Sequence, residues 1–282
     1  MVEATALPAP KGTVLPGLGL TLGMTLAYLG LIVLLPLAAV FATAAGMGLD
    51  EILRLLMDPR TLAALRVSFA TALLAAAINA VAGLVVAWVL VRYDFPLKRL
   101  VDGVIDLPFA LPTAVAGIAL AGLYGPNGWV GAPLAEAGLR VAYTPADIVV
   151  ALAFIGLPFV VRTVEPVLAD LDREYEEAAA TLGASRLQVV SRVVMPVLLP
   201  PLLTGFALAF ARGVGEYGSV IFIAGNLPYL SEVAPLLIVI KLEEYNYAGA
   251  TTIAAAMLLT SFLMLLVINL LGNWTRRRAG HV

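Results

Sequence analysis

The chain of 282 residues contains no cysteine and a single histidine, His281. Disulfides, thiol chemistry and a histidine metal centre are excluded together, and no metal site is expected. Lysine is nearly as scarce: Lys11, Lys98 and Lys241 are the whole set. None follows a glycine in a loop that could cradle phosphate, so the chain is not expected to hydrolyse ATP or to hold a cofactor of its own. Charge as a whole is thin. Charged residues make up 13% of the chain, against about a quarter in a soluble domain. The net charge of −2 and the lack of any long basic tract give no reason to expect nucleic acid.

What fills the space is hydrophobic sequence, 61% of all residues. No charge occurs in 12–49, 67–91, 107–135 or 245–275. A run of about 18 apolar residues spans a bilayer as a helix, because helices satisfy their own backbone hydrogen bonds in lipid. The fold class is therefore an all-α integral membrane protein. Six transmembrane helices are predicted, over 18–42, 64–91, 103–123, 146–166, 197–223 and 248–272. The small-x-small triplet Ala42-Thr43-Ala44 resembles a signal cleavage site, but the apolar stretch before it is longer than a signal core. A retained first span is the expectation.

Between the first two spans, "LDEILRLLMDPR" has helical spacing with mixed charge and reads as an interfacial helix. After the third span, "YGPNGWVGAPLAEAGLRVAYTP" carries turn-forming Gly-Pro and Asn-Gly pairs, with Trp129 suited to the interface. With both termini placed in the cytoplasm, eleven of the seventeen lysines and arginines lie on that side, five lie outside and Arg212 is left within a span. That asymmetry sets the orientation. The chain then divides into a tail (1–17), a first span with its interfacial helix (18–60), a membrane domain (61–272) and a basic cytoplasmic tail (273–282).

One cytoplasmic stretch, 170–196, is polar where all around it is oily. Asp172 can cap a helix, and Glu174, Glu176 and Glu177 suit the positive end of its dipole. The helix should stop at Gly183 in a left-handed conformation. A second helix should start at Ser185, boxed by Gln188, with Leu187, Val190 and Val194 on one face. Pro196 then falls in the first turn of the fifth span. So long and well-capped a loop exceeds what a connection needs and reads as a docking element.

At Glu177-Ala178-Ala179, Gly183 and Val193-x-Met195-Pro196 the stretch resembles the EAA loop of bacterial ABC import permeases, with Val193 and Met195 in place of the usual Ile and Leu. The resemblance implies type I importer architecture and a coupling helix that docks on a separate ATPase, which would bind ATP and Mg. Independently, a chain with no nucleotide site must draw energy from a partner or from an ion gradient.

"FARGVGEYGSVIFIAGN" sets Arg212 and Glu216 one turn apart at membrane depth among Gly213, Gly215 and Gly218. Buried charge in a membrane is costly and faces a bundle interior or a cavity. The two can neutralise each other as a structural pair, or one can contact a substrate; both readings stand here. Gly215, Glu216, Tyr217, Gly218 and Ser219 join Arg212 as candidates for the translocation pathway. This stretch and "NLPYLSEVAPLLIVIKLEEYNYAGATTIAA" resemble the sulfate/thiosulfate permeases, most of all their T-type subunit, over nearly the whole chain including the extra first span. Molybdate and tungstate permeases share the Gly215–Gly218 core and are the alternative. The resemblance implies a heterodimer with a W-type subunit, two copies of a cytoplasmic ATPase, a periplasmic sulfate/thiosulfate-binding protein, and a setting in the lipid bilayer of the bacterial inner membrane.

Asp102 and Asp106 bracket the start of the third span, where Pro108 and Pro112 read as kinks or as packing. Glu243-Glu244 with Tyr245 and Tyr247 reads as an exposed outer turn. Two further functions compete: an ion-coupled secondary transporter using Glu216, which should show inverted repeats, and a non-transporting scaffold, which has no use for buried Arg212 and Glu216.

Overall fold

The computed structural model describes residues 17–139, 141 and 143–279; Lys11, Arg140, His281 and nearly all of the expected N-terminal tail lie outside the described residues. Among the described residues the chain is helical, with no strand. Thirteen helical elements carry it: α1 Leu18–Ala45, α2 Leu49–Leu56, α3 Pro59–Arg92, α4 Lys98–Ile105, α5 Leu107–Ala110, α6 Thr113–Tyr124, α7 Gly131–Glu136, α8 Pro145–Asp170, α9 Arg173–Thr181, α10 Arg186–Val214, α11 Val220–Ile223, α12 Ala234–Glu243 and α13 Tyr247–Ala279.

Local chemistry explains where the long rods begin. At α3 the Asp58 carboxylate accepts from the Thr61 N–H at 3.1 Å, and Pro59 follows with its missing donor where none is needed. At α8, Thr144 and Asp147 form a capping box around Pro145. The core is the bundle of α3, α8 and α10, with α13 against α10, α12 against α3 and α13, and α1 and α2 along α13. α3 and α8 run parallel and α10 runs back between their ends. Small residues set the crossings. A β-carbon on Gly83 would stand 2.7 Å from Val160 Cγ1, and one on Gly205 would stand 2.8 Å from Val160 Cα. With apolar side chains on the lipid side as well, close backbone approach is what holds such helices together.

Among the described residues five helices are long and apolar enough to cross a membrane: α1, α3, α8, α10 and the 247–270 part of α13. The third expected span, 103–123, is not one rod. It is broken into α4, α5 and α6, and α6 has 12 residues, about 18 Å against a hydrocarbon core of about 30 Å. The break between α5 and α6 follows from Pro112, whose ring drives Leu111 to extended backbone (φ −79°, ψ 135°).

The fifth expected span also differs at both ends. α10 begins at Arg186, inside the docking segment, so Pro196 does not start a separate helix. A wide, π-type turn over Val190–Val194 precedes Pro196, just as one over Leu29–Leu34 precedes Pro36. Widening the turn is one way for a helix to pass a residue that lacks an N–H donor. At the other end α10 stops at Val214, and Gly215–Ser219 is a break before the single turn of α11. Between the break and the last span lies α12, an apolar helix of 10 residues too short to stand out as a span in the sequence.

Candidate functional site

The polar segment 170–196 is built as its residues dictate. Asp172 accepts from the Glu174 N–H at 3.0 Å and starts α9. Its end is a Schellman turn: Gly183 N–H donates to the Ala180 carbonyl at 3.0 Å and Ala184 N–H to the Ala179 carbonyl at 3.1 Å. Gly183 has φ of 86°, the left-handed value expected of it. Ser185 and Gln188 exchange side-chain and backbone bonds at 2.8 and 3.4 Å, and α10 begins there. One expected detail is different. Val194 is buried and Val190 half-buried, but Leu187 is 78% exposed and does not share their face.

None of the residues of α9 is buried. Glu177, Ala178 and Ala180 point outward and Ala179 is half-buried. Tyr175 and Leu182 are apolar yet 64% and 88% exposed. Beside them a shallow cavity of about 370 Å³ is lined by Ala179, Leu182, Gly183, Gln188, Arg192 and Val193. A row of alanines, exposed aliphatics and a concavity offers another surface close contact and something apolar to bury. Val193 and Met195 are half-buried and lie, with Pro196, where α10 leaves this segment for the bundle.

Glu176 turns the other way. Its Oε1 accepts from Arg92 Nη2 at 2.5 Å, at the end of α3. The same guanidinium reaches the Leu171 carbonyl at 3.4 Å and lies 5.9 Å from the Trp88 ring centre, while Arg173 Nη2 donates to the Arg92 carbonyl at 3.4 Å. The sequence offered no signal for this clasp, because Arg92 and Glu176 are 84 residues apart.

The charged pair of the fifth span exists, with changed geometry. Arg212 Nη1 and Glu216 Oε2 are 2.5 Å apart. Arg212 lies in the last turn of α10, whereas Glu216 sits in the break beyond it. The other oxygen of Glu216 accepts from both the N–H and the Oγ of Ser219, at 2.9 and 3.0 Å, and its side chain is only 2% exposed. The carboxylate thus folds the break as well as pairing the arginine. Arg212 keeps 36% of its side chain exposed. Tyr217 packs on the core.

The broken third span meets this break. A β-carbon on Gly218 would fall 2.2 Å from Thr113 Oγ1, and one on Gly117 would fall 2.3 Å from the Ser219 carbonyl. Gly213 similarly sits on Ala72, but a β-carbon on Gly215 would meet nothing within 4 Å. Two discontinuities in two membrane segments therefore abut, with an arginine and a carboxylate at the contact. Interrupted helices that expose backbone polar groups inside a bundle are the arrangement on which membrane transporters build ion and substrate sites.

Asp102 and Asp106, at the start of the third expected span, are anchored by Arg162 of α8. Its guanidinium reaches Asp102 at 2.7 Å, Asp106 at 2.6 Å and Glu165 at 2.6 Å. Asp102 and Asp106 tie α4 and its junction with α5 to α8, while Glu165, on α8 itself, braces the same guanidinium. Glu243 and Glu244 are exposed, as expected, and Lys241 bonds Glu244 at 2.9 Å, which holds that carboxyl below its ordinary range.

Residues 79–281 match the model of the family described as binding-protein-dependent transport system inner membrane component. The chain is 49% identical over 274 residues, 97% of its length and 99% of the relative's, to the sulfate transport system permease protein CysT of Synechococcus elongatus. To its counterpart in Escherichia coli it is 48% identical over 269 residues, 95% of this chain and 97% of that one. In fold it is similar to a chain of a bacterial alginate ABC transporter crystallised with an alginate-bound periplasmic protein, with a TM-score of 0.72, 17% identity, and coverage of 93% and 94%.

Proposed function

The chain belongs to the binding-protein-dependent transport system inner membrane component family, and from that premise we propose that it is the permease of an ATP-driven importer carrying sulfate or thiosulfate across the bacterial inner membrane. The projecting two-helix segment carries the reading. An exposed face of Glu177, Ala178 and Leu182 on a helix with no buried residue is a surface made for a partner. The near-complete alignment with sulfate permeases supports the substrate class.

In this reading the chain crosses the membrane six times, with the α4–α6 segment as the interrupted crossing and both termini in the cytoplasm. A W-type permease completes the pore. Two copies of a cytoplasmic ATPase bind ATP and Mg and dock on the two permeases, and a periplasmic binding protein delivers the oxyanion. The chain itself has no cofactor and performs no hydrolysis. Glu177, Ala178, Ala179 and Gly183 form the docked surface, and Val193, Met195 and Pro196 pass its displacement into α10. Arg212 and Glu216, with Gly215, Tyr217, Gly218 and Ser219, line the pathway at the junction of the two helix breaks. There the guanidinium offers a fixed, always-protonated donor set to an anion that has lost water.

The test is labelled-sulfate uptake in a bacterial strain lacking its own sulfate permeases, supplied with this chain, the W-type subunit, the ATPase and the binding protein. ATP-dependent sulfate uptake, inhibited by thiosulfate and not by molybdate, is the expected result. Uptake that is inhibited by molybdate alone would assign the molybdate alternative, and uptake that follows the proton gradient without ATP would overturn the reading.

A further inference from the structure

α3 is a long helix with an arginine bonded off-helix at each end. It has 34 residues, about 51 Å of rod. At its first turn Arg60 grips Glu232 with a two-bond fork, Nε to Oε2 at 2.8 Å and Nη2 to Oε1 at 2.7 Å. The Glu232 side chain is 1% exposed. Just along the helix, Ser68 Oγ accepts from the buried Ala234 N–H at 2.8 Å. At the last turn Arg92 grips Glu176 of α9, with both side chains largely covered at 10% and 24% exposed.

These contacts create a path the covalent chain does not provide. α9 buries no residue; besides its flanking turns it rests on the first turns of α10 and is joined to the end of α3 by the Arg92 clasp and the Arg173 bond to the Arg92 carbonyl. Glu176 and Glu177 are neighbours that project about 100° apart around a helix. One faces outward and the other holds α3. At the far end, Glu232 belongs to the 224–233 segment, which follows α11 and hence the break that contains Glu216. An arginine–carboxylate fork around a buried carboxylate such as Glu232 resists being pulled apart, since separation leaves that charge buried without its partner.

We propose that Arg92 and Glu176 are positioning residues for energy coupling: their ion pair links docking helix α9 to α3, so that a displacement of α9 by a docked ATPase moves α3 and, through Arg60 and Glu232, the segment beyond the helix break. The proposal rests on the reading of the chain as an ATP-driven permease. Arg92 and Glu176 act through α3 and α9, by the contacts they make with each other and with Leu171 and Trp88. Their loss removes the link while leaving the outward face of Glu177, Ala178 and Leu182 intact.

The complete importer, reconstituted in proteoliposomes with its ATPase and binding protein, allows ATP hydrolysis and sulfate uptake to be read from one sample. Arg92→Gln is expected to retain the ATPase on purification and to keep hydrolysing ATP, while sulfate moved per ATP falls about tenfold or more. Because the chain has no cysteine, Arg92→Cys with Glu176→Cys gives a second arm. A short bis-thiol-reactive linker bridging the two is expected to raise the transport-to-hydrolysis ratio of that same protein severalfold. An unchanged ratio in Arg92→Gln overturns the proposal. So does a pair that stays uncoupled once bridged, or a loss of ATPase binding that bridging fails to restore, which would make the clasp a matter of local folding. If the wild-type importer moves no sulfate, it is the functional reading that fails, and the variants are not reached.

Discussion

Gly183 and Glu216 show how a residue's neighbours decide what a substitution tests. A β-carbon on Gly183 would meet no atom within 4 Å, so the only obstacle is its backbone at φ of 86°. An L-residue there costs about 1 kcal/mol, asparagine less and a β-branched residue more. Gly183→Asn is therefore expected to transport nearly normally. Gly183→Val should insert and express normally but retain less ATPase on purification and lose most uptake. Equal behaviour of the two variants would separate the helix end from coupling. Glu216 is the opposite case, since Ser219 and Arg212 both depend on it. Exchanging the pair, Arg212→Glu with Glu216→Arg, would leave the Ser219 N–H without its acceptor and is expected to lower the yield of folded protein. Glu216→Gln keeps an acceptor for Ser219 and removes only the charge, which makes it the cleaner probe. It is expected to fold, with a melting temperature within a few degrees of wild type, and to lose uptake; retained uptake would remove the ion pair from the pathway.

Among the elements, the interrupted third span depends most on a single side chain. Arg162 holds α4 and its junction with α5 to α8 through Asp102 and Asp106, with Glu165 of α8 bracing it, and its side chain is 30% exposed. Partial exposure places the cost of Arg162→Met at roughly 1–3 kcal/mol, between surface and buried pairs. The expected signature is a lower melting temperature in detergent and faster proteolysis across 93–97, with the α3–α8–α10 bundle still resistant. Equal proteolysis would show that the prolines alone shape this segment. What could be read from the sequence at this scale was whatever local chemistry controls: the caps at Asp172 and Ser185, the left-handed Gly183, and the five long apolar runs. The break at Gly215–Ser219 was not legible, because its glycines fit a close-packed helix as well as a turn, and only the contacts with Thr113 and Gly117 distinguish them. Nor were the Arg92–Glu176 and Arg60–Glu232 pairs, whose partners are set by the fold and not by spacing. Pro112 announced a kink, but its depth followed from α6 being too short to finish the crossing.

At the scale of the whole molecule, the charge asymmetry and the contacts constrain topology in separate ways. The contacts fix which parts share an end: Arg92 with Leu171 and Glu176 at one end of α3, Arg60 with Glu232 at the other. A helix of about 51 Å holds those ends on opposite sides of any bilayer. They say nothing about which end is cytoplasmic, and that assignment rests on the eleven-to-five distribution of lysine and arginine. The surface around them is apolar. α1 buries no residue and exposes leucines along its length, which hydrocarbon or another apolar span must cover. Reporter fusions after Leu139 and Leu227 are expected to read as periplasmic, and fusions near Ser185 and Arg278 as cytoplasmic. The two ways of failing differ in meaning. An inversion of all four reporters would overturn the charge argument and leave the fold intact, while taking the docking surface away from any cytoplasmic ATPase. Leu227 and Ser185 reporting on the same side would contradict the clasps at both ends of α3, and with them the path by which docking is proposed to reach the far side of the membrane.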